Sequence, residues 1–232
     1  MHILRATLRN NDYPTRDRYP FTLPVLRETA ELPLDAPVTM FVGENGTGKS
    51  TVLEALAHRC GIHIWRDEER TRFEHNPYEE RLHQYMDVEW ADRQVPGSFF
   101  SAGIFHHFVQ ALDEWAAADP GQLDYFGGKS LVTQSHGQSL MAFFRSRYRI
   151  RGLYLLDEPE TALSPRTQLE LLELLTQEAA DGHAQFVIAT HSPILMSLPG
   201  ARLLSFDRSP VSGIAYEETD HLRVYREFMA GR

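Results

Sequence analysis

Between an apolar run, Val38-Thr39-Met40-Phe41-Val42, and an amphipathic segment at 50–59 lies Gly43-Glu44-Asn45-Gly46-Thr47-Gly48-Lys49-Ser50-Thr51. Nothing else in the chain restricts its fold as much. The spacing G-x-x-x-x-G-K-[ST] lets glycines turn consecutive backbone N–H groups inward, and the following helix adds the partial positive charge of its N-terminus. Such a loop cradles phosphates. Lys49 reaches the β- and γ-phosphates, and the Ser50 hydroxyl ligates Mg²⁺. A chance match in a chain of 232 residues is about one in a hundred, and the strand–loop–helix setting lowers that further.

Composition removes several classes. The chain is 42% hydrophobic and 24% charged, as an ordinary globular protein of one domain, two at most. Cys60 is the only cysteine, so no intrachain disulfide forms, which fits a reducing compartment. A formal charge of −9 argues against a DNA-coating role. The basic cluster Arg145, Arg147, Arg149 and Arg151 reads as a helix C-terminus favoured by cations or as an anion or nucleic-acid contact. The longest stretches free of charged side chains, 94–112 and 182–201, lack the continuous apolar run of a membrane helix. Met1-His2-Ile3-Leu4-Arg5 lacks the apolar core of a signal peptide. The expectation is a cytoplasmic protein without direct membrane insertion.

Periodicity organises the rest. Ile3–Leu8 reads as a strand, and Pro14, Pro20, Pro24, Pro33 and Pro37 restrict the segment between it and Val38 to short antiparallel strands or loops. Residues 62–148 form a block expected to be a mostly helical insertion. Within it, a helical apolar pattern spans 99–115 through Ile104, Phe105, Phe108, Ala111, Leu112 and Trp115, and another short helix starts near Gln138. Strand–helix alternation then returns. Gly152-Leu153-Tyr154-Leu155-Leu156-Asp157 is a buried strand, and Ser164-Pro165 starts a helix with Ser as N-cap. That helix carries Leu169, Leu172, Leu175 and Ala179 on its expected apolar face. Phe186-Val187-Ile188-Ala189 is the next buried strand, closing at Thr190-His191-Ser192. Continuous apolar strands separated by helices mean a mostly parallel sheet covered on both faces.

Two acids end the strand at Asp157. Beside the phosphate loop, Asp157 can hold Mg²⁺ through the metal's water shell. Glu158, by the strand's alternation, projects differently, toward where water attacks a γ-phosphate, and a general base must lie within reach of that water. The same Asp-Glu-Pro-Glu run also reads as an acidic turn opening a helix.

These motifs, with Ser135-His136-Gly137-Gln138-Ser139, Leu155 through Pro165, and Ala189-Thr190-His191-Ser192-Pro193, resemble those of ABC-type P-loop ATPases. The likeness is greatest to the small stand-alone bacterial predicted ATPases of the AAA/ABC-like group and runs nearly end to end. It implies an α/β fold with a mixed, mostly parallel central sheet, a small N-terminal β lobe and a helical lobe inserted at about 62–148. The whole chain is then a single ATPase domain. It implies ATP and Mg²⁺ as ligands, with residues 43–51 on the phosphates, Ser50 and Asp157 on the metal, Glu158 as base and Lys49 as a further catalytic residue. By the same resemblance His191 is the switch histidine, a neutral donor to the γ-phosphate or the attacking water. Ser135, Gly137 and Gln138 match the signature loop, which in ABC-type dimers caps the γ-phosphate bound by the opposite subunit. A homodimer formed on ATP binding follows, together with an unidentified protein partner. A nucleic-acid partner stays open, with no strong basic patch to mark one.

Departures from the family pattern sharpen the expectation. His136 stands where the transporter signature has glycine, and Ser164 replaces the aspartate typical of transporter subunits. Ser101 and Gly103 stand where a charged Arg-Ala-Glu motif is expected. No glutamine loop is evident, with Gln94 and Gln110 the candidates. Tyr19 or Phe21 could stack on adenine, although an ordinary core aromatic is the simpler reading of both. The stretch between Lys49 and Ser135 leaves no room for a long coiled coil. The expected function is Mg-dependent ATP hydrolysis coupled to head-to-tail dimerisation. Its rivals are a transporter's ATPase subunit and a non-hydrolytic ATP-gated scaffold within a larger assembly, such as a defence complex.

Overall fold

The computed structural model describes residues 1–65, 76–119, 121 and 136–231. Its first half contains β1 (Ile3–Leu8), α1 (Pro24–Glu28), β2 (Glu31–Pro33), β3 (Val38–Val42), α2 (Lys49–Arg59), β4 (Met86–Trp90), β5 (Gly97–Ser101) and α3 (Ala102–Ala118). Then come α4 (His136–Arg147), β6 (Gly152–Asp157), α5 (Pro165–Ala180), β7 (Ala184–Ala189), α6 (Pro193–Met196), β8 (Arg202–Ser205), β9 (Ser212–Gly213) and α7 (Asp220–Ala230). The main sheet has the order β5-β6-β7-β3-β8-β9, parallel throughout except for β9 at its edge. A smaller antiparallel sheet, β2-β1-β4, packs against it as the N-terminal lobe.

The main sheet is covered on both sides, which is why its strands are continuously apolar. Alternation along β3 sends Phe41 into one core with Val52, Leu53 and Leu56 of α2. Val38, Met40 and Val42 enter the other core with Phe144 of α4 and with Leu171 and Leu175 of α5. On β7, Val187 and Ala189 face the first core while Phe186 and Ile188 face the second.

Three expectations change. The helical pattern at 99–115 starts too early, because Phe99, Phe100 and Ser101 belong to β5 and pair with Leu155, Leu156 and Asp157 of β6. Their aromatic spacing merges with that of α3, so period alone cannot separate the two elements. The block at 62–148 also contributes β4, whose Met86, Val88 and Trp90 alternate with Asp87 and Glu89 and whose partner is β1. It is therefore not mostly helical in its first third. On α5 the buried positions are Leu171, Leu175, Glu178 and Ala179, while Leu169 is exposed. Leucines at 169, 171, 172, 174 and 175 surround that helix and hide its inward face from periodicity.

The arginine cluster is in part structural. Arg145 pairs with Glu170 of α5 at 3.0 Å, and Arg147 donates to the Gly97 carbonyl at 3.3 Å.

One buried amide ties the two sheets together. The Gln185 Oε1 on β7 accepts the His2 and Ile3 N–H groups at 2.6 and 2.8 Å. Its Nε2 donates to the carbonyls of Leu34 at 2.6 Å, Ile3 at 3.0 Å and Ala36 at 3.1 Å. The residue is fully buried, so removing the amide strands several backbone groups away from water. Gln185→Leu should cost about 3 kcal/mol or more, seen as a lower urea midpoint with an unchanged slope. A midpoint equal to that of the wild type would contradict this role.

Candidate active site

Parallel pairing brings the C-terminal ends of β3, β6, β7 and β8 to one edge of the sheet. Phe41 lies beside Ala189, Ala189 beside Asp157, and Val42 beside Ser205. Ligands of open α/β sheets bind outside such ends.

The loop at 43–51 leaves β3 at this edge. Gly43 has φ 142°, and a Cβ there would lie 2.9 Å from Oδ1 of Asp207, just past β8. The same Oδ1 accepts the Glu44 N–H at 2.8 Å. At the helix end, Gly48 takes φ 104° as N-cap of α2. Lys49 is buried in the loop, its Nζ donating to the Gly43 and Glu44 carbonyls at 2.7 Å each. Burial lowers its pKa, opposed by the carboxylates of Glu158, Asp207, Asp157 and Glu44.

The Ser50 hydroxyl donates to Oδ1 of Asp157 at 2.8 Å. Burial pushes the Asp157 carboxyl up to about 7, with Glu158, Glu54 and Glu160 adding to the rise and the Ser50 bond opposing it. Carboxylates crowded in this way resist further negative charge and gain from a cation. Two adjacent hard oxygen donors suit Mg²⁺, so Ser50 and Asp157 fit that ion.

Glu158 breaks the strand. At φ 46°, ψ 55° it is the one non-glycine residue with positive φ among the described residues. That conformation costs about 1–3 kcal/mol and is found where the surroundings enforce it. Here the Glu158 N–H is held by the Ala189 carbonyl at 2.9 Å. Its half-exposed carboxylate comes to 3.6 Å from Nε2 of His191. The His191 N–H donates to Oε1 of partly buried Glu160 at 2.6 Å, and its Nδ1 lies 3.0 Å from Nε2 of His221 on α7. Burial lowers the His191 pKa, with the Lys49 charge acting in the same direction and Glu158 against it. The ring is therefore held neutral.

The residues singled out in the sequence thus gather in two pairs, Ser50 with Asp157 and Glu158 with His191, with the Lys49 loop beside them. Gly137 and Gln138 open α4, where Gly137 faces Thr167 of α5. Ser135 lies outside the described residues. Ser164 caps α5 by accepting the Thr167 N–H at 3.3 Å. Of the two aromatic candidates, Phe21 is fully buried in the core, whereas Tyr19 is exposed and its hydroxyl meets Oγ1 of Thr51 at 2.5 Å. Of the glutamine-loop candidates, Gln94 donates to the Cys60 carbonyl at 2.6 Å, while Gln110 lies within α3. Ser101 is the register neighbour of Asp157, so the position expected to carry charge stands beside the site with a hydroxyl.

Sequence reasoning missed Asp207, Glu160 and His221. Asp207 carried a usable signal, since it follows the apolar run Leu203-Leu204-Ser205-Phe206 as Asp157 follows its own strand. His221 carried none, because nothing local relates it to His191.

A family model described as "AAA domain, putative AbiEii toxin, Type IV TA system" matches residues 138–197. The thiamine import ATP-binding protein ThiQ of Ruegeria sp. (strain TM1040) is 26% identical over 175 residues, covering 66% of this chain and 69% of that protein. ThiQ of Cereibacter sphaeroides is 29% identical over 178 residues with the same coverage. Among solved structures, an ABC transporter of metal-chelate type in an inward-facing conformation superposes with a TM-score of 0.54 at 17% identity. That match covers 98% of this chain and 90% of the other, and at such identity it carries the fold alone. Sheet topology, motif order and relatives agree: the chain has the α/β fold and the motif set of an ABC-type P-loop ATPase.

Proposed function

We propose that the protein binds ATP with Mg²⁺ at residues 43–51 and hydrolyses it in the cytoplasm. The observation that carries this reading is the gathering of Lys49, Ser50, Asp157, Glu158 and His191 at one sheet edge beside a helix N-terminus. Loop N–H groups and Lys49 bind the phosphates, while Ser50 and Asp157 hold the metal. The metal, when bound, neutralises phosphate charge as the terminal P–O bond breaks. Glu158 takes the proton of the attacking water, and neutral His191 donates from Nε2 toward the γ-phosphate.

In this reading neither subunit owns a complete site. Gly137 and Gln138 at the N-terminus of α4, with Ser135 preceding them in the sequence, cap the nucleotide of the opposite subunit in an ATP-bound head-to-tail homodimer. A hydroxyl and backbone N–H groups at a helix start suit a phosphate as the first loop does.

The likeness to thiamine import ATP-binding proteins favours a second reading, an ATPase subunit that serves a membrane transporter. No helix among the described residues is long and apolar enough to cross a membrane, so that reading needs a separate membrane partner. Ser164 and the absent glutamine-loop signature weigh against it. Steady turnover by the purified protein alone, unchanged by added membranes, favours the stand-alone enzyme, and turnover that appears only with membranes favours the transporter subunit.

Glu158→Gln keeps size and hydrogen bonding but loses the base, so turnover should fall by about 10²-fold or more with ATP binding retained. An unchanged rate removes Glu158 from this role. Lys49→Ala removes a charge-assisted contact and should weaken ATP binding by about tenfold or more in calorimetry; equal affinity contradicts the assignment.

If the composite site is right, turnover per subunit rises with protein concentration, and Glu158→Gln protein dimerises only with Mg·ATP. Mixing Lys49→Ala with Ser135→Arg, each inactive alone, restores one intact site per heterodimer. Recovery is at most about half of wild type if the sites are independent. A monomer with concentration-independent turnover at saturating ATP overturns the dimer.

A further inference from the structure

The C-terminal segment reaches into the site through one side chain. Nε2 of His221 lies 3.0 Å from Nδ1 of His191, with ring centroids 5.2 Å apart. This contact is built rather than incidental. The Tyr216 hydroxyl donates to the Pro193 carbonyl at 3.0 Å, clamping the segment before α7 to the turn that carries His191. The Thr219 hydroxyl donates to the Tyr216 carbonyl at 2.7 Å, and Leu222, next to His221, is buried. The His191 main chain is fixed as well, by Glu160 on its N–H and by Ser192, which caps α6. What the backbone does not fix is which ring nitrogen carries the proton.

That choice matters here. A neutral imidazole has one donor and one acceptor nitrogen, and the partner of one nitrogen sets the role of the other. Nε2 of His191 is buried, has no hydrogen-bond partner among the described residues, and lies 3.6 Å from the Glu158 carboxylate. Protonated, it offers a donor toward Glu158 and an incoming phosphate oxygen. Unprotonated, it would present a lone pair to both.

We propose that His221 is a positioning residue: its Nε2–H donates to Nδ1 of His191 and holds His191 in the tautomer whose Nε2–H points to the hydrolytic centre. His221 touches neither nucleotide nor water in this scheme and acts only through His191. The contact also makes the placement of α7 a condition for the donor, so a shift of that helix would change the site. The inference rests on the hydrolytic reading for its effect on rate, but the tautomer itself is measurable without turnover.

The direct test is ¹⁵N NMR of histidine ring nitrogens in the folded wild-type protein, with the His191 signals assigned by comparison with His191→Gln. Expected is a neutral His191 protonated on Nε2. In His221→Leu, which lacks a donor, His191 should populate both tautomers, and kcat should fall by about tenfold or more. His221→Gln supplies an amide donor and should recover most of the rate, whereas His221→Glu, an acceptor, should drive the proton to Nδ1 and not recover it. A wild-type His191 protonated on Nδ1, or a tautomer ratio unchanged in folded His221→Leu, overturns the proposal. The wild-type spectrum decides the matter even if that variant does not fold. A tautomer shift without loss of kcat would uphold the positioning and instead remove His191 from hydrolysis, so the two failures are distinguishable.

Discussion

The site depends on an electrostatic compromise at the end of β6. Asp157 is partly buried beside Glu158, Glu54 and Glu160, and loss of water around its carboxyl first, then that acidic company, raises it to about 7. Asp157 accepts the Ser50 hydroxyl, and the buried ammonium of Lys49, whose own pKa burial lowers, is the nearby positive charge. A centre with this much acid and so little compensating charge is poor at stabilising a fold. It suits a ligand that brings a divalent cation for the acids and phosphates for the loop and lysine. Left-handed Glu158 adds strain at the same point.

The rest of the molecule holds that centre in place. Parallel register aligns the ends of β3, β6, β7 and β8, and two aromatic-rich cores clamp the sheet from either side. Asp207 fixes the first turn of the phosphate loop through the Glu44 N–H. Gln185 secures the N-terminal lobe to β7, the strand that leads into His191. A change far from the loop can thus reach the site through the sheet.

Local motifs were legible in the sequence because their chemistry is local. The glycines, Lys49 and Ser50 lie within nine residues, and the pairings of Ser50 with Asp157 and Glu158 with His191 follow from strand ends that apolar runs reveal. The edge strand β5 was not legible, since Gly97 and Ser98 weaken it and Phe99-Phe100 continue the aromatic rhythm of α3. β4 carried a period-2 signal in Met86, Val88 and Trp90, hidden among charged residues. Asp207 and His221 meet the site only through tertiary packing, over separations of 163 residues for Asp207 to Glu44 and 30 for His221 to His191.

The most direct test is thermal unfolding of the wild type and Asp157→Asn with and without Mg·ATP, between about pH 6 and about pH 8. A carboxyl raised above its unfolded pKa favours the protonated fold, so the ligand-free wild type loses stability as pH rises through about 7. The variant lacks that loss. Mg²⁺ binds the ionised carboxylate, so stabilisation by Mg·ATP should grow with pH in the wild type. In Asp157→Asn it should be smaller and grow less. Equal increments in the two proteins at every pH would contradict the account of Asp157 as the metal-holding acid of a nucleotide site.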